Sequence, residues 1–274
     1  MTATQEITPV PSATVTLVRD ARHGLEVLMM ERNLQSVFVP GSYVYPGGAV
    51  DAQDAMPEAS ELCAGLDDSR ASALLGIASG GLAYWVAAIR ESFEEAGLLL
   101  AYDAGGGIVE LIRDDMVERF SLHRRAVDEG SRTLAAIVRE EGLHIAADRL
   151  VYFSHWITPL GGPRRYDTRF FIAEAPPAQA PLHDNRETIS HVWIPPGVAL
   201  DRHRAGSFKM RTPTVRTMQW FAAYDSAGSL IKAMRLQKTV PLIQPRISQD
   251  GRRLLPGDAG YEEAAGMGGQ GKWQ

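Results

Sequence analysis

The amino-acid sequence predicts a single α/β (α+β) domain in which a β-sheet packs against helices. Runs rich in β-branched, aliphatic and aromatic residues predict four strands, at residues 13–18, 25–32, 151–158 and 169–175. Residues 83–96 and 108–141 have apolar positions at helical spacing. No internal repeat or linker divides the 274 residues, so we expect one domain over residues 1–274 with an ordered core at 12–262.

The same rules predict the remaining elements. The first two strands form a hairpin, and a loop rich in glycine, proline and aromatic residues follows at 33–48. Further helices are predicted at residues 58–66, 69–78, 198–205, 214–227 and 229–234. Residues 108–141 are expected to form one or two exposed helices separated near Gly130. A hairpin within 240–262 closes the domain, and the glycine-rich tail 263–274 is predicted to be disordered.

Composition excludes several classes of protein. The chain is 45% hydrophobic and 22% charged, which is ordinary for a globular enzyme with a sizeable core. A net charge of −5 argues against a broad basic surface for nucleic acid. Cys63 is the single cysteine, which excludes an internal disulfide and a cysteine-based zinc cage. The sequence shows no signal peptide and no membrane span, so we expect a cytoplasmic protein.

The most informative feature is a group of three carboxylates, Glu91, Glu94 and Glu95. Their spacing places all three on one side of a helix, where like charges repel by about 0.2–0.5 kcal/mol per pair. The opposite, apolar stripe consists of Val86, Ile89, Phe93 and Ala96. A solvated acidic face is the simpler interpretation. A hard divalent cation would relieve the repulsion, because carboxylate oxygens are its preferred ligands.

The flanking residues favour the metal site. Arg90 directly precedes the three glutamates, Gly97 follows where a helix would end, and residues 45–51 upstream read Tyr-Pro-Gly-Gly-Ala-Val-Asp. Together these segments resemble the signature of the Nudix hydrolases, Gly-x5-Glu-x7-Arg-Glu-U-x-Glu-Glu-x-Gly-U, with U an aliphatic residue. The resemblance implies the Nudix fold, a mixed curved β-sheet sandwiched between helices.

The signature is interrupted in this chain. Arg90 lies 42 positions after Gly48, whereas the signature places the arginine 14 positions after the glycine, which leaves 28 additional residues. We assign this interruption to residues 51–81. The acidic residue expected eight positions before Arg90 is Leu82, and Asp51 or Asp54 is a candidate substitute. A Nudix subgroup that includes a mammalian coenzyme A diphosphatase has a similarly interrupted signature.

The resemblance also implies a set of metal ligands. Glu91 and Glu95 are the leading ligands, Glu94 shares a bridging position, and the Gly48 carbonyl adds a backbone ligand. The expected ion is Mg²⁺ or Mn²⁺. Without side chains, Gly47 and Gly48 permit the backbone to come close to a ligand, although a plain tight turn is the simpler interpretation.

Other residues are expected to serve catalysis and substrate binding. Arg90 would hold the carboxylates by charge-assisted hydrogen bonds. Either Glu91 or Glu187 is the candidate general base, and an exposed loop residue is the alternative for Glu187. Arg164 and Arg165, on the loop between the later strands, are candidates for binding a substrate phosphate, with a basic surface turn as the alternative.

The implied activity is metal-dependent hydrolysis of a pyrophosphate bond in a nucleoside-diphosphate-linked substrate. Coenzyme A or acyl-coenzyme A is the leading substrate, and ADP-ribose or NADH is the alternative. A non-catalytic Nudix-like module that senses a nucleotide is a second class, but the three retained glutamates favour an enzyme. A structural metal protein fits poorly, because an open carboxylate face makes a weak zinc cage. We expect a small-molecule partner, and the oligomeric state stays open, a homodimer included.

Overall fold

The structure, a computed structural model, describes residues 7–33, 35, 40–161, 164–182 and 188–264. Its strands are β1 (Val10–Ala21), β2 (Gly24–Arg32), β3 (Tyr43–Val44), β4 (Gly47–Ala49), β5 (Ala101–Tyr102), β6 (His144–Ile145), β7 (Val151–Ile157), β8 (Tyr166–Glu174), β9 (Thr188–Ile194), β10 (Leu242–Ile243), β11 (Arg246–Ile247) and β12 (Arg253–Leu254). Its α-helices are α1 (Pro57–Glu61), α2 (Asp68–Leu75), α3 (Leu82–Ala96), α4 (Asp114–Asp128), α5 (Leu134–Glu140), α6 (Pro196–Arg204), α7 (Thr212–Phe221) and α8 (Ala227–Arg235). Short 3₁₀ helices lie at Ala52–Ala55 and Ala147–Arg149.

The central sheet is mixed. Its strand order is β10-β7-β8-β1-β2-β3, with β4 also paired to β1 and β9 to β2. The pairs β1 with β8 and β10 with β7 are parallel, and the other pairs in this sheet are antiparallel. The long strand β1 therefore joins the hairpin partner β2, the glycine-containing strand β4 and the later strand β8. This arrangement confirms the predicted α/β class.

Apolar side chains cover both faces of the sheet. On one face, Val15 and Leu17 of β1 belong to the same buried cluster as Trp85 and Ile89 of α3. The opposite face packs against α7 and α8, through a buried cluster that includes Phe153, Phe170, Met218, Phe221 and Leu230. Burying each such side chain contributes about 1.5–3 kcal/mol. The helix with the three glutamates is therefore fixed against the sheet by its apolar side.

The segment that interrupts the signature folds back onto α3. The Asp68 carboxylate binds the backbone near the start of α3. Its Oδ2 accepts from the N–H of Gly80 and its Oδ1 from the N–H of Leu82, each at 3.0 Å. A Cβ on Gly81 would lie 2.3 Å from the backbone nitrogen of Ser72, so this approach requires glycine. The helix α2 ends earlier than predicted, because Gly76 adopts the left-handed conformation with φ of 67°. The interrupting segment therefore packs against the start of α3.

Several other predictions can be compared with the structure. Residues 108–141 contain two helices, α4 and α5, on either side of Gly130, as predicted. Strand β8 begins at Tyr166, earlier than predicted, because Val10 of β1 pairs with it there. In the predicted tail, Ala264 is buried in a small cluster with Leu254 and Tyr261. Residues 265–274 lie outside the described residues. No helix in the described part of the chain is long and apolar enough to cross a bilayer.

Candidate active site

The helix α3 presents the glutamates as the sequence predicts. It spans Leu82–Ala96 and ends where Gly97 takes the left-handed conformation, with φ of 68°. Ser92, which stands where the signature has an aliphatic residue, is fully buried, and its hydroxyl donates to the Leu98 carbonyl at 2.8 Å. The polar side chain is thus satisfied in an apolar position. The helix end is reinforced rather than weakened by this departure from the signature.

Arg90 lies at the centre of the cluster. Its side chain is 3% exposed, and its Nη1 donates to Glu91 Oε1 at 2.8 Å and to Glu94 Oε2 at 3.1 Å. Its Nη2 also donates to the Ala49 carbonyl at 2.8 Å. A planar guanidinium with five donors can hold several oxygens in fixed directions at once. The predicted role of Arg90 in holding carboxylates agrees with these contacts.

Asp54 is the acidic partner that the interrupted signature lacked. Arg90 donates to its two carboxylate oxygens, from Nε at 2.9 Å and from Nη2 at 2.9 Å. Asp51 is peripheral by comparison, with its carboxylate 3.6 Å from Arg90 Nη2 and its side chain 53% exposed. Asp54 lies six positions after Gly48, as the signature requires. Counting forward from the glycine would have identified it, whereas counting back from Arg90 leads to Leu82.

This pairing moves one boundary of the predicted insertion. The contact between Asp54 and Arg90 places Asp54 within the site, although residues 51–81 were assigned to the insertion. The backbone N–H of Asp51 donates to Asp54 Oδ2 at 2.8 Å, which orients the carboxylate at the start of the 3₁₀ helix. The additional residues therefore begin after Asp54.

Gly47 and Gly48 lie directly against the glutamates. A Cβ on Gly48 would be 2.4 Å from Glu91 Oε1, so any side chain there would displace the Glu91 carboxylate. The N–H of Gly47 donates to Glu95 Oε2 at 3.2 Å. Strand β4 holds both glycines in place by pairing with β1. The structure therefore brings the two halves of the interrupted signature together, as the sequence predicts.

The site carries excess negative charge. Burial raises the pKa of Glu91 to about 7, with the charge of Arg90 opposing this and the charge of Glu94 adding to it. Burial likewise raises the pKa of Glu94 to about 7. The pKa of Asp54 is also raised by burial, against the effect of Arg90. Glu91 and Glu94 therefore stay partly protonated near neutral pH unless another cation joins Arg90.

The two candidate substrate arginines have different surroundings. Arg165 is buried, and its guanidinium donates to the backbone carbonyls of Ile7 at 2.9 Å and Thr158 at 3.2 Å. These bonds fasten the segment before β1 to the end of β7. Arg164 is exposed to solvent. Arg165 is therefore hydrogen-bonded to the backbone, and Arg164 is the arginine that is accessible to a ligand.

The last candidate, Glu187, lies outside the described residues. Strand β9 begins at the next residue, Thr188, which pairs with Arg32 of β2. The general-base role of Glu187 stays a prediction.

Comparisons with known proteins agree with this geometry. The family model described as NUDT19 Nudix domain matches residues 2–220. A chicken (Gallus gallus) protein named acyl-coenzyme A diphosphatase NUDT19 is 27% identical over 87% of this chain and 73% of its own length. A Caenorhabditis elegans protein named putative nudix hydrolase 7 is 29% identical over 86% of this chain and 69% of its own length. The crystal structure of a Nudix hydrolase from Alicyclobacillus acidocaldarius superposes with a TM-score of 0.68 at 25% identity, covering 84% of this chain and 98% of that one.

Proposed function

The chain belongs to the NUDT19 Nudix domain family, and from this premise we propose that it hydrolyses the pyrophosphate bond of coenzyme A or an acyl-coenzyme A. The observation that carries the proposal is the carboxylate cluster that Arg90 organises against Gly48. The name of the chicken relative, acyl-coenzyme A diphosphatase, supports the choice of substrate. The reaction adds water across the anhydride, so coenzyme A would give 3′,5′-ADP and 4′-phosphopantetheine.

We propose that Glu91, Glu94, Glu95 and the Gly48 carbonyl bind Mg²⁺ or Mn²⁺. Nudix hydrolases generally use divalent metals, and two observations fit such an ion. The donors are all oxygen, which hard divalent cations prefer. The pKa values of Glu91 and Glu94 are raised to about 7, so the site gains from an added positive charge. When bound, the ion supplies Lewis acidity and lowers the pKa of coordinated water.

The chain's own residues have separate tasks in this proposal. Arg90 keeps Glu91 and Glu94 in fixed orientations, and Asp54 keeps Arg90 in place. Gly48 allows the backbone to reach the carboxylates without a steric clash. Glu91 or Glu187 accepts the proton of the attacking water as general base.

A substrate panel tests the proposal. The protein is incubated with coenzyme A, acetyl-coenzyme A, ADP-ribose and NADH in Mg²⁺ or Mn²⁺, and the products are identified by mass spectrometry. We expect 3′,5′-ADP from coenzyme A and complete loss of turnover in EDTA. Undiminished activity in metal-free buffer would contradict the metal site. A preference for ADP-ribose or NADH of about tenfold or more in kcat/KM would support the alternative substrate class. Binding without turnover of any substrate would favour the sensor module.

We also propose a small-molecule partner and a cytoplasmic location. The net charge of −5 supports a protein that does not bind nucleic acid through a broad basic surface. Cell fractionation tests the location, and light scattering of the purified protein tests whether it is the homodimer that the sequence left open.

A further inference from the structure

Each backbone carbonyl in the last turn of α3 accepts a hydrogen bond from a group outside the helix. The final carbonyls of a helix have no partner within it, and they carry partial negative charge. Here the N–H groups of Gly97 and Leu98 serve two of them, Phe93 O at 3.0 Å and Ser92 O at 3.2 Å. This local cap is the one that the sequence predicts from Gly97. The next three carbonyls, of residues 94–96, must find donors elsewhere.

Donors from two distant segments serve these carbonyls. Arg124, on α4, donates from Nε to the Glu94 carbonyl at 2.7 Å and from Nη2 to the Glu95 carbonyl at 2.9 Å. The N–H of Leu182, in the segment between β8 and β9, donates to the Ala96 carbonyl at 2.8 Å. The guanidinium of Arg124 thus bonds to the backbone of two proposed metal-binding residues. A shift of either backbone would move the carboxylate attached to it.

The surroundings keep Arg124 in this position. Phe120, one turn earlier on α4, is 3% exposed and meets Phe93 of α3 edge to face, with ring centroids 6.5 Å apart. The left-handed Gly97 leaves room for the guanidinium, since a Cβ there would lie 3.3 Å from Nη1 of Arg124. Charged donors complement the carbonyl end of a helix and bind it more strongly than neutral ones.

We infer that Arg124 is a positioning residue for the metal-binding glutamates. The helical insertion at residues 108–141, which carries Arg124, therefore helps to orient the metal ligands. The inference rests on the proposed function, because it takes Glu94 and Glu95 as metal ligands. Arg124 acts through the backbone of α3, so its loss changes where the carboxylates lie rather than how many there are. Metal affinity is therefore the property that it controls most directly.

The test is Mn²⁺ binding by Arg124→Met, measured from the EPR signal of free Mn²⁺ without substrate. Methionine keeps most of the apolar stem and removes the donors. We expect the dissociation constant for Mn²⁺ to rise about tenfold or more, as for other residues that orient metal ligands. The matched control is Arg125→Met, since Arg125 is the next residue on α4 and is exposed. Its dissociation constant should stay within about twofold of that of the wild type.

Arg124→Lys provides a second measurement. Lysine keeps the charge but cannot reproduce the planar pair of donors, so its dissociation constant should lie between those of wild type and Arg124→Met. At saturating Mn²⁺, the variants should lose kcat with KM changed by less than about threefold, because substrate contacts are untouched. If Arg124→Met does not fold, Arg124→Lys decides the matter.

Two results would overturn the inference, and they can be told apart. If the variants melt at lower temperature yet bind Mn²⁺ as the wild type does, Arg124 holds α4 in place and does not position the ligands. If the wild-type protein binds no Mn²⁺, the proposed metal site itself fails.

Discussion

Two clusters of acidic residues in this protein differ in burial and in charge balance. The first is the Arg90 cluster, consisting of Arg90, Asp54, Glu91, Glu94 and Glu95. The second joins α4 to the end of α5, where ligand atoms of His123, Glu140 and Glu141 lie within 4.8 Å of one another. The side chain of Glu94 is 14% exposed, whereas that of Glu140 is 56% exposed. By proximity alone, the second cluster is the stronger candidate for a cation among the described residues.

The second cluster is neutralised by its neighbours. Arg119 contacts Glu141, with Nε 2.9 Å from Oε1, and Arg132 forms an ion pair with Glu140. His123 Nε2 is also 2.9 Å from Glu141 Oε1. Burial would raise the pKa of Glu141, but the hydrogen bonds from His123 and Arg119 outweigh it and lower that pKa. The ligand atoms are therefore already occupied by cationic partners.

Burial and unbalanced charge, rather than proximity, separate the proposed metal site from this ion-pair network. In the Arg90 cluster, one guanidinium contacts Asp54, Glu91 and Glu94, and the pKa values of these carboxylates are raised. Each acid in the second cluster has its own arginine. A cation would gain most in the first cluster and would have to displace an arginine in the second.

The largest effect is expected from Glu95→Gln, which keeps the shape of the side chain but removes its charge. The loss of a metal ligand should lower kcat by about two orders of magnitude or more. The matched control is Glu141→Gln in the second cluster, whose Mg²⁺ dependence should equal that of the wild type. Steady-state kinetics across a Mg²⁺ titration measures the kcat of Glu95→Gln and the Mg²⁺ dependence of Glu141→Gln. A loss of less than about fivefold in Glu95→Gln would show that Glu95 is not an essential metal ligand.

Asp54→Asn should have the next largest effect. It leaves Arg90 buried with a weaker partner, and breaking a buried ion pair costs about 3–5 kcal/mol of folding free energy. Chemical unfolding measures that loss. We expect kcat to fall about tenfold or more as well, because Glu91 and Glu94 lose their fixed donor. Asp51→Asn is the control, since Asp51 is largely exposed. Equal effects of the two variants would contradict the assignment of Asp54 to the site.

The pH dependence of stability should separate metal-free from metal-bound protein. Glu91 and Glu94 have an ordinary pKa of 4.5, and burial raises it to about 7 in the folded protein. Between these values the folded state binds more protons than the unfolded state, so stability falls as pH rises. We expect the Tm of the metal-free protein to drop by a few degrees from about pH 5 to pH 8.

Saturating Mg²⁺ should flatten this slope, because the bound ion keeps the carboxylates ionised. Glu91→Gln should also reduce the slope in metal-free protein. The lowered pKa values of Glu141 and Asp167 act at lower pH and in the opposite direction, so they do not mask the effect. A Tm that rises with pH in metal-free buffer would show that the carboxylates are already compensated.

The smallest effect concerns substrate choice. If Arg164 contacts the 3′-phosphate of coenzyme A, 3′-dephospho-coenzyme A should have the lower kcat/KM. Arg164→Ala should then reduce the difference in activation free energy between the two substrates by about 1–3 kcal/mol. Arg165→Ala tests the other predicted arginine, and it should also lower the Tm, because Arg165 bonds to the carbonyls of Ile7 and Thr158. If the ratio of kcat/KM for coenzyme A to kcat/KM for 3′-dephospho-coenzyme A is unchanged in both variants, neither arginine contacts the 3′-phosphate.

Much of the site follows from the sequence alone, because it depends on local geometry. The period of an α-helix places Glu91, Glu94 and Glu95 on one side of α3 whatever surrounds them. The left-handed end at Gly97 is likewise local, whereas Gly47 and Gly48 lie in strand β4 and not in the tight turn that the sequence also allowed. The strands β1 and β2 of the core contain continuous runs of apolar and β-branched residues, which short-range patterns reveal.

Which distant groups meet depends on the tertiary structure. Asp54 reaches Arg90, 36 positions later, because the intervening helices fold back onto α3. Arg124 reaches the end of the same helix across a second insertion. The sequence predicts that Arg165 binds a substrate phosphate or lies on a basic surface turn, but in the structure it is buried and donates to the carbonyls of Ile7 and Thr158. Such contacts depend on how whole segments pack, and burial then sets the pKa values of the carboxylates, which residue spacing cannot express.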